Sequence, residues 1–404
     1  MRLLYLTQWF EPEPVMKGIR FARALADAGH DVEVATAFPN YPRGKVYDGY
    51  KVKPYQRDEM QGLTLHRLWV YPSHDGSTLR RMLTYCSFFV SALIFMLIRG
   101  RRYDFAYVYH APIMPGFATA LAYALYRRPF ILEIQDLWPD SVMSSGMAPG
   151  LFGRILNWIC NFVYRRAKRI VAQSEGMKQR LIERGVLANK VSVLRNWSNY
   201  VERDDTALPA SFAEAFEGRT NFVYGGNLGQ AQSLDVLIEA ASIAADEQPG
   251  LHLHLFGWGM DRDRLVALAK DRAPDHVTIH DAVAPEVADK LFEAADILVF
   301  HLDDDPLYDI TIPSKTQHYL SVGKPIVAGL SGEAATILES SDAALVTKPG
   351  DVEAMAKAFV QAAALTGDQR AEKARKARGY YQRELAFEPA MARILDWIEK
   401  DAGK

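Results

Sequence analysis

Short apolar runs alternate with helix-length stretches along nearly the whole chain, and this alternation most restricts the folds open to it. Leu3 to Leu6 reads as a buried strand and Thr7 to Gly18 as a loop stiffened by Pro12 and Pro14. Ile19 to Ala28 reads as a helix with Phe21, Ala22, Leu25 and Ala26 on one face, and Val32 to Thr36 as the next strand. Strands joined through helices predict a parallel sheet covered on both sides, the Rossmann-type unit. Further strands are expected at Leu63–Val70, Phe105–Tyr109, Phe130–Glu133, Ile170–Gln173 and Val191–Leu194. The pattern fades over the polar stretch Tyr200–Arg219 and then restarts. Strands follow at Asn221–Tyr224, Leu251–Phe256, Val277–His280, Asp296–Phe300, Ile326–Ala328 and Ala344–Val346. A chain of 404 residues, 49% of them apolar, suits two such domains. The expected division is 1–199, 200–380 and a C-terminal helix at 381–404. Met391, Ile394, Leu395 and Ile398 stripe that helix, which is expected to lean on the first domain.

Charge and cysteine content remove several functions. Lys plus Arg is 47 and Asp plus Glu is 49, a formal net charge of −2, so there is no basic excess for nucleic acid. Cys86 and Cys160 lie in apolar helical surroundings and read as buried thiols. The first residues read as a strand followed by a polar loop and not as a signal peptide, so a cytoplasmic setting is expected. The first strand–helix loop lacks G-x-G-x-x-G, and the chain contains no G-x-S-x-G, G-x-x-x-x-G-K-[ST] or C-x-x-C. Ordinary dinucleotide, serine hydrolase, P-loop and thiol redox readings lose support.

Candidate chemistry gathers where strands meet helices. From His301 to Gly329 an apolar strand feeds an acidic loop ending at Pro313-Ser314, and a helix begins with Ser314 as expected N-cap and Gln317 in a capping-box position. Lys315 sits in the first turn, where a cation opposes the helix dipole. That placement suits a bound phosphate; the alternative is a surface lysine near a helix start. Gly225 to Gln230 forms a glycine-rich loop after a strand, a second place for backbone N–H groups to meet phosphate. Gly18, before the first helix, either admits a phosphate or serves a turn. His110, Glu133 and Asp136 follow buried strands at the face where α/β sheets bind ligands. Asp303, Asp304, Asp305 and Asp309 either bind Mg²⁺ or solvate their loop. The aromatic, proline-containing loop Phe38–Tyr50 suits contact with an acceptor. A nucleotide-activated donor on one half and an acceptor on the other amount to group transfer, in which the protein must stabilise negative charge on the departing diphosphate.

Leu83 to Ile98 is apolar, with Arg80 and Arg81 before it and Arg99, Arg101 and Arg102 after it. It falls short of the roughly 20 residues that span a bilayer. A buried helix, a helix with one face in the cytoplasmic leaflet, and a spanning helix all remain open.

The segments YLTQWFEPEP, LADAGHDVEV, FPNYPRGKVYDGY, EIQDLWPDSV, SEGMKQRLIERGV, LRNWSN, YGGNLGQAQSLDVLIEA, DILVFHL and IPSKTQHYLSVGKPIVAGLSGEAATIL, in this order, cover the chain from end to end. Together they resemble the retaining glycosyltransferases of family 4, with the GT-B fold of two facing Rossmann-like domains and a last helix crossing back to the first. More narrowly they resemble bacterial O-antigen, capsule and exopolysaccharide enzymes of the N-acetyl-fucosaminyl transferase type. The resemblance implies a UDP-sugar donor held by the second domain, without a tightly bound cofactor or metal. It implies a sugar acceptor on a polyprenyl diphosphate carrier, held by the first domain at the inner membrane surface. It implies Lys315 at the donor phosphates, Gly226, Asn227 and Gly229 beside the diphosphate, and Gly18 facing it. It further implies Asp136 as the catalytic residue lining the sugar site and Glu333 as a donor contact. The chain departs from the family where two glutamates are usual and it has Ile310 and His318, so that His318 or Asp309 would have to compensate. It also has Gln230 and Gln232 for a basic pair, and Gln135 for a histidine. These departures fit an unusual amino or deoxy donor sugar, or a weak or inactive enzyme. Competing readings are a nucleotide-sugar epimerase on the same fold and a non-catalytic nucleotide-sugar-binding partner in polysaccharide assembly.

Overall fold

In the first unit, the strands β1 (Arg2–Thr7), β2 (Asp31–Ala37), β3 (Tyr55–Met60), β4 (Leu63–Leu68), β5 (Phe105–His110), β6 (Phe130–Ile134), β7 (Arg169–Ala172) and β8 (Val191–Val193) form one sheet, in the order β3-β4-β2-β1-β5-β6-β7-β8. The computed structural model describes residues 1–73, 78–110, 112–138, 151–202 and 207–403. Contacts divide the chain into Met1–Leu194 with Ala390–Lys404, and Arg195–Pro389. All neighbours in the first sheet are parallel except β3 and β4, a hairpin turning at Gln61 and Gly62 with φ of 48° and 77°. No apolar run announces β3: YQRDEM is an edge strand that leaves every second side chain exposed. Its helices are α1 (Ile19–Asp27), α2 (Thr78–Arg99), α3 (Met114–Tyr126), α4 (Leu151–Arg166) and α5 (Glu175–Glu183). Between β1 and β5 the order reverses direction, which opens a crevice at the carboxyl ends of those two strands.

Helix α2 begins earlier than the apolar run Leu83–Ile98, taking in the polar turn from Thr78. Phe88, Ala92, Phe95 and Met96 are buried on one face, while Leu83, Val90, Ile94, Leu97 and Ile98 stay exposed on the other. Phe89 and Leu93 are half-buried. Leu79–Arg102 is long and apolar enough to cross a membrane by length and composition, and 33% of its most apolar stretch is buried in the protein.

The second unit holds β9 (Thr220–Asn227), β10 (Leu251–Trp258), β11 (Val277–His280), β12 (Ile297–His301), β13 (Ile326–Gly329) and β14 (Ala344–Thr347), all parallel. Their order β11-β10-β9-β12-β13-β14 is the 3-2-1-4-5-6 order of doubly wound nucleotide-binding sheets, with its crevice between β9 and β12. The helices are α6 (Ala210–Phe216), α7 (Asp235–Ala245), α8 (Arg262–Arg272), α9 (Pro285–Ala294), α10 (Pro306–Asp309), α11 (Ser314–Val322), α12 (Gly332–Ser340), α13 (Val352–Ala363) and α14 (Gly367–Glu384). Beneath α6, imidazoles and phenyl rings stack on β10 and β11: Phe256 lies 4.2 Å from His280 and Phe216 4.6 Å from His254. His254 Nδ1 is 3.1 Å from His280 Nε2, and His254 Nε2 is 3.1 Å from Asn221 Oδ1.

The last helix, α15 (Phe387–Asp401), belongs to the first unit. Pro389 lies in its first turn, where a missing N–H is harmless, and the break from α14 falls before it, at Leu385 and Ala386. Asp401 accepts from Nε and Nη2 of Arg169 at 2.6 and 3.0 Å, and the same guanidinium lies 5.3 Å from the Trp397 ring centre.

Candidate functional site

In the second unit the expected glycine loop is partly strand. β9 continues through Gly225, Gly226 and Asn227, with Gly226 opposite Gly257 and Asn227 opposite Trp258. A Cβ on Gly257 would lie 1.8 Å from the Gly226 carbonyl oxygen, so the two strand ends meet backbone to backbone. Beyond them Gln232 fixes the turn: its Oε1 accepts from Asn227 Nδ2 at 2.9 Å and from the Gly229 N–H at 3.2 Å. The Tyr224 hydroxyl donates to the Asn227 carbonyl at 2.6 Å, and the Gly225 N–H donates to the Tyr319 hydroxyl at 3.3 Å. Gln232 thus holds the turn in shape.

Helix α11 starts beside this turn, and its N-cap is Pro313, not Ser314. Proline offers no side-chain acceptor, so no side chain caps the helix, and Gln317 is buried instead of closing a capping box. Lys315 Nζ lies 4.7 Å from the Tyr224 ring centre, and a Cβ on Gly226 would approach it to 2.5 Å. Gly226 has φ of 148°, which side chains rarely adopt, so it yields both the backbone turn and the room for the ammonium. The residue keeps some solvent contact, but dense packing around Nζ depresses its pKa to about 8. Among the described residues it has no carboxylate partner. Gly226 and Tyr224 therefore border the ammonium, while Asn227 and Gly229 shape the turn that follows β9.

The remaining second-unit candidates take other positions. His318 Nδ1 is 3.2 Å from Ser198 Oγ, and its Nε2 is 3.2 Å from Asp289 Oδ1, within ion-pair range though misaligned for a hydrogen bond. The ring meets Tyr200 and Phe292 edge to face, so it is turned toward α9 and the segment after β8. Glu333, in the first turn of α12, pairs with Arg195 Nη2 at 2.9 Å. Asp309 is exposed, and its backbone packs on Gly332, where φ is +65° and a Cβ would lie 2.1 Å from the Asp309 carbonyl oxygen. Asp305 caps α10 by accepting from the Leu307 N–H at 2.7 Å. Among the described residues no group of three His, Cys, Asp or Glu is placed to hold a metal ion.

In the first unit the loop after β1 is fastened by buried charges. Lys17 and Glu133 are both fully buried and form an ion pair. Glu133 also accepts from the Tyr107 hydroxyl and, at 2.9 Å, from Gln135 Nε2, and Gln135 in turn accepts from Gln173. Burial depresses the Lys17 pKa, and the Glu133 carboxylate opposes that push. Glu133 is thus enclosed by Lys17, Tyr107 and Gln135 and has no open face for a substrate.

Two further carboxylates shape the same loop. Glu13 accepts from the N–H groups of Phe10 at 2.9 Å and of Asn40 and Tyr41 at 2.7 Å each. It joins the loop after β1 to the Phe38–Tyr50 loop, and Trp9 stacks on Tyr41 at 4.3 Å. Burial raises the Glu13 pKa to about 7 despite these donors. Glu11 Oε1 accepts from the Ile19 N–H at 2.7 Å, at the start of α1. A Cβ on Gly18 would lie 1.9 Å from that oxygen. What approaches Gly18 closely here is therefore an internal carboxylate. Sequence reasoning passed over Glu11, Glu13 and Lys17, although charged residues among Phe10, Pro12 and Pro14 straight after a buried strand were a signal.

Asp136 follows β6. Its side chain meets solvent, yet its carboxyl is crowded, and that desolvation raises its pKa, moderated by the solvent contact. The phenols of Tyr41, Tyr85 and Tyr109 are held up first by burial, and each also feels the Asp136 charge. The Asp136 carbonyl accepts from the Trp138 N–H at 3.0 Å, while its carboxylate has no hydrogen-bond or ion-pair partner among the described residues. His110 ends β5, but its side chain lies outside the described residues.

Residues 20–197 match the family described as "Glycosyl transferase 4-like domain", and residues 219–364 match "Glycosyl transferases group 1". The chain is 27% identical over 391 residues to an Escherichia coli (strain K12) protein provisionally named colanic acid biosynthesis glycosyl transferase WcaI, covering 93% of each chain. Among solved structures it resembles Anabaena Alr3699/HepE in complex with UDP-glucose, at 16% identity and a TM-score of 0.65, over 99% of this chain and 100% of the other. It also resembles sucrose-phosphate synthase from Thermosynechococcus elongatus, at 14% identity and a TM-score of 0.69, over 99% of both chains. A third likeness is a UDP-forming α,α-trehalose-phosphate synthase from Burkholderia vietnamiensis, at 12% identity and a TM-score of 0.70, over 99% of this chain and 100% of the other. At these identities the solved structures establish a shared fold.

Proposed function

Because the chain has the GT-B fold and belongs to the glycosyl transferase 4-like glycosyltransferases, with a group 1 domain following, we propose that it moves a sugar from a UDP-sugar to a polyprenyl-diphosphate-linked acceptor, with retention of configuration. The observation that carries this reading is the unpaired Lys315 ammonium beside Gly226, at the crevice between β9 and β12 and next to an uncapped helix start. A diphosphate brings the charge that this cation lacks, and the free N–H groups of α11 bring hydrogen bonds. A structure of the same fold in complex with UDP-glucose, a UDP-forming synthase of that fold, and the likeness to a protein named for colanic acid biosynthesis support the choice of donor and pathway. The donor sugar in this reading is an N-acetylated amino or deoxy sugar.

In the reaction the bond from the anomeric carbon to the β-phosphate oxygen breaks, and its electron pair stays on UDP. The acceptor hydroxyl oxygen forms the new bond and gives up its proton to the departing β-phosphate oxygen. Lys315 opposes the charge growing on the diphosphate without help from a metal. Asp136, exposed and free of other partners, is assigned to the sugar and its developing positive charge. Glu133 is assigned a positioning role: through Lys17 it fixes the loop after β1. His318 is assigned to holding α11 against α9 in place of gripping a ribose. The exposed face of α2 and the arginines at its ends support a place at the inner membrane surface.

The test is calorimetry with UDP, GDP and ADP and their common sugars. Selective binding of UDP and one N-acetylated UDP-sugar is expected, followed by transfer to a lipid-linked acceptor. Binding of no nucleotide would remove the reading, and isomerisation of the sugar without acceptor would replace it with an epimerase.

A further inference from the structure

Helix α2 does more than expose an apolar stripe: part of that stripe lines a groove. The groove has a volume of 560 Å³ and is lined by Tyr55, Trp69, Val90, Ile94, Ile98 and Arg99, among others. Its walls are fixed. The Ser91 hydroxyl donates to the Trp69 carbonyl at 2.7 Å and pins α2 to the end of β4. The Arg99 guanidinium lies 5.6 Å from the Tyr55 ring centre and has no carboxylate partner among the described residues. Val90, Ile94 and Ile98 are one helical turn apart and exposed, with Ile94 at 52%. Trp69 is 41% exposed and Tyr55 40%, so aromatic edges border the apolar opening. Arg101 and Arg102 follow Arg99 in the next turn.

We propose that this groove binds one acyl chain of an anionic phospholipid, with Arg99 at the headgroup phosphate. Three features select this occupant. The lining is almost wholly apolar, which suits hydrocarbon and gives a polar ligand nothing to bond. The single charged group at its rim is an unpaired cation, which complements a lipid phosphate and not a neutral apolar peptide. The groove opens onto the exposed stripe of α2, whose ends carry arginine and whose border carries Trp and Tyr, the residues that settle at a headgroup boundary. The inference rests on the reading of α2 as the membrane-facing helix and adds to it a specific seat for one lipid. Such a seat fixes the depth and rotation of the helix on the bilayer, where a merely greasy face would let it slide.

Trp69 is a built-in reporter. The full chain is mixed with phosphatidylglycerol vesicles carrying acyl chains brominated near mid-chain, and separately with short-chain phosphatidylglycerol as monomers. Tryptophan quenching is read against the Trp69→Phe variant, because the chain has seven tryptophans. Ile94→Glu and Arg99→Gln, both on the accessible rim, are checked for an unchanged Tm before use. The expected result is quenching on vesicles that vanishes in Trp69→Phe, and a short-chain affinity at least tenfold weaker in Ile94→Glu. Arg99→Gln is expected to lose most of the preference for phosphatidylglycerol over phosphatidylcholine. Vesicle binding without Trp69-dependent quenching would overturn the groove and leave the membrane reading standing. Binding of the monomeric lipid that weakens in Ile94→Glu, without vesicle binding, would keep the groove and overturn the membrane reading. Absence of both would overturn both.

Discussion

Lys315 carries the donor half of the reading, and its predicted behaviour is quantitative. Lys315→Ala is expected to weaken UDP binding by about 2 kcal/mol, roughly thirtyfold in Kd, since a charge-assisted partner is lost from an enclosed position. Titration calorimetry on the variant measures it. The depressed pKa of about 8 gives a second expectation. Below pH 8 the free protein already holds the ammonium, so affinity is flat. Above pH 8 binding must recover a proton, and affinity falls by up to about tenfold per pH unit until the bound-state pKa is reached. A Lys315→Arg variant, charged throughout, should show no such fall. Asp136→Asn is expected to lower kcat by roughly 10²-fold or more while leaving UDP affinity within a factor of two. An equal loss in both would assign Asp136 to binding or folding.

At the scale of elements, the loop after β1 is the least expected part of the molecule. Glu13→Ala strips the acceptor from three N–H groups and is expected to cost about 2–4 kcal/mol, seen as a lowered urea midpoint and faster proteolysis within Phe38–Tyr50. The sequence pattern revealed the strands and most helices because buried parallel strands are near-continuous apolar runs and their crossover helices have apolar stripes. It missed β3, whose side chains half face water, and α12, whose glycine start reads as a turn. It placed the end of β9 in a loop because glycine argues against strand, whereas here glycine lets two strand ends touch. Lys315 and the glycines were legible because their neighbourhood is local: a strand end and a helix start. Glu133 was misjudged as open because its partners Lys17 and Tyr107 lie 116 and 26 positions away in the chain, and only the fold joins them.

For the whole molecule, three histidines of the second unit make stability depend on pH. Burial, reinforced for some by neighbouring cations, depresses His252 to about 4, His254 to about 2 and His280 to about 4. As pH falls below 6.5 the unfolded chain takes up protons that the folded one refuses until its own lower values are reached. Stability is therefore lost between pH 6.5 and 4, at up to about 1.4 kcal/mol per pH unit for each histidine. Urea unfolding at pH 7.5 and 5 should show the fall, and His254→Gln should flatten it. The tail has a consequence of another kind. Since α15 returns to the first unit and is held there by Arg169 and Asp401, the second unit is topologically an insertion between β8 and α15. Residues 195–389 are one continuous length with its own core, so the segment is expected to fold when expressed alone, as circular dichroism and a cooperative urea transition would show. The first unit is discontinuous. A truncation that removes α15 takes away part of it, and a recombinant exchange of second units must cross over twice, before Arg195 and after Pro389.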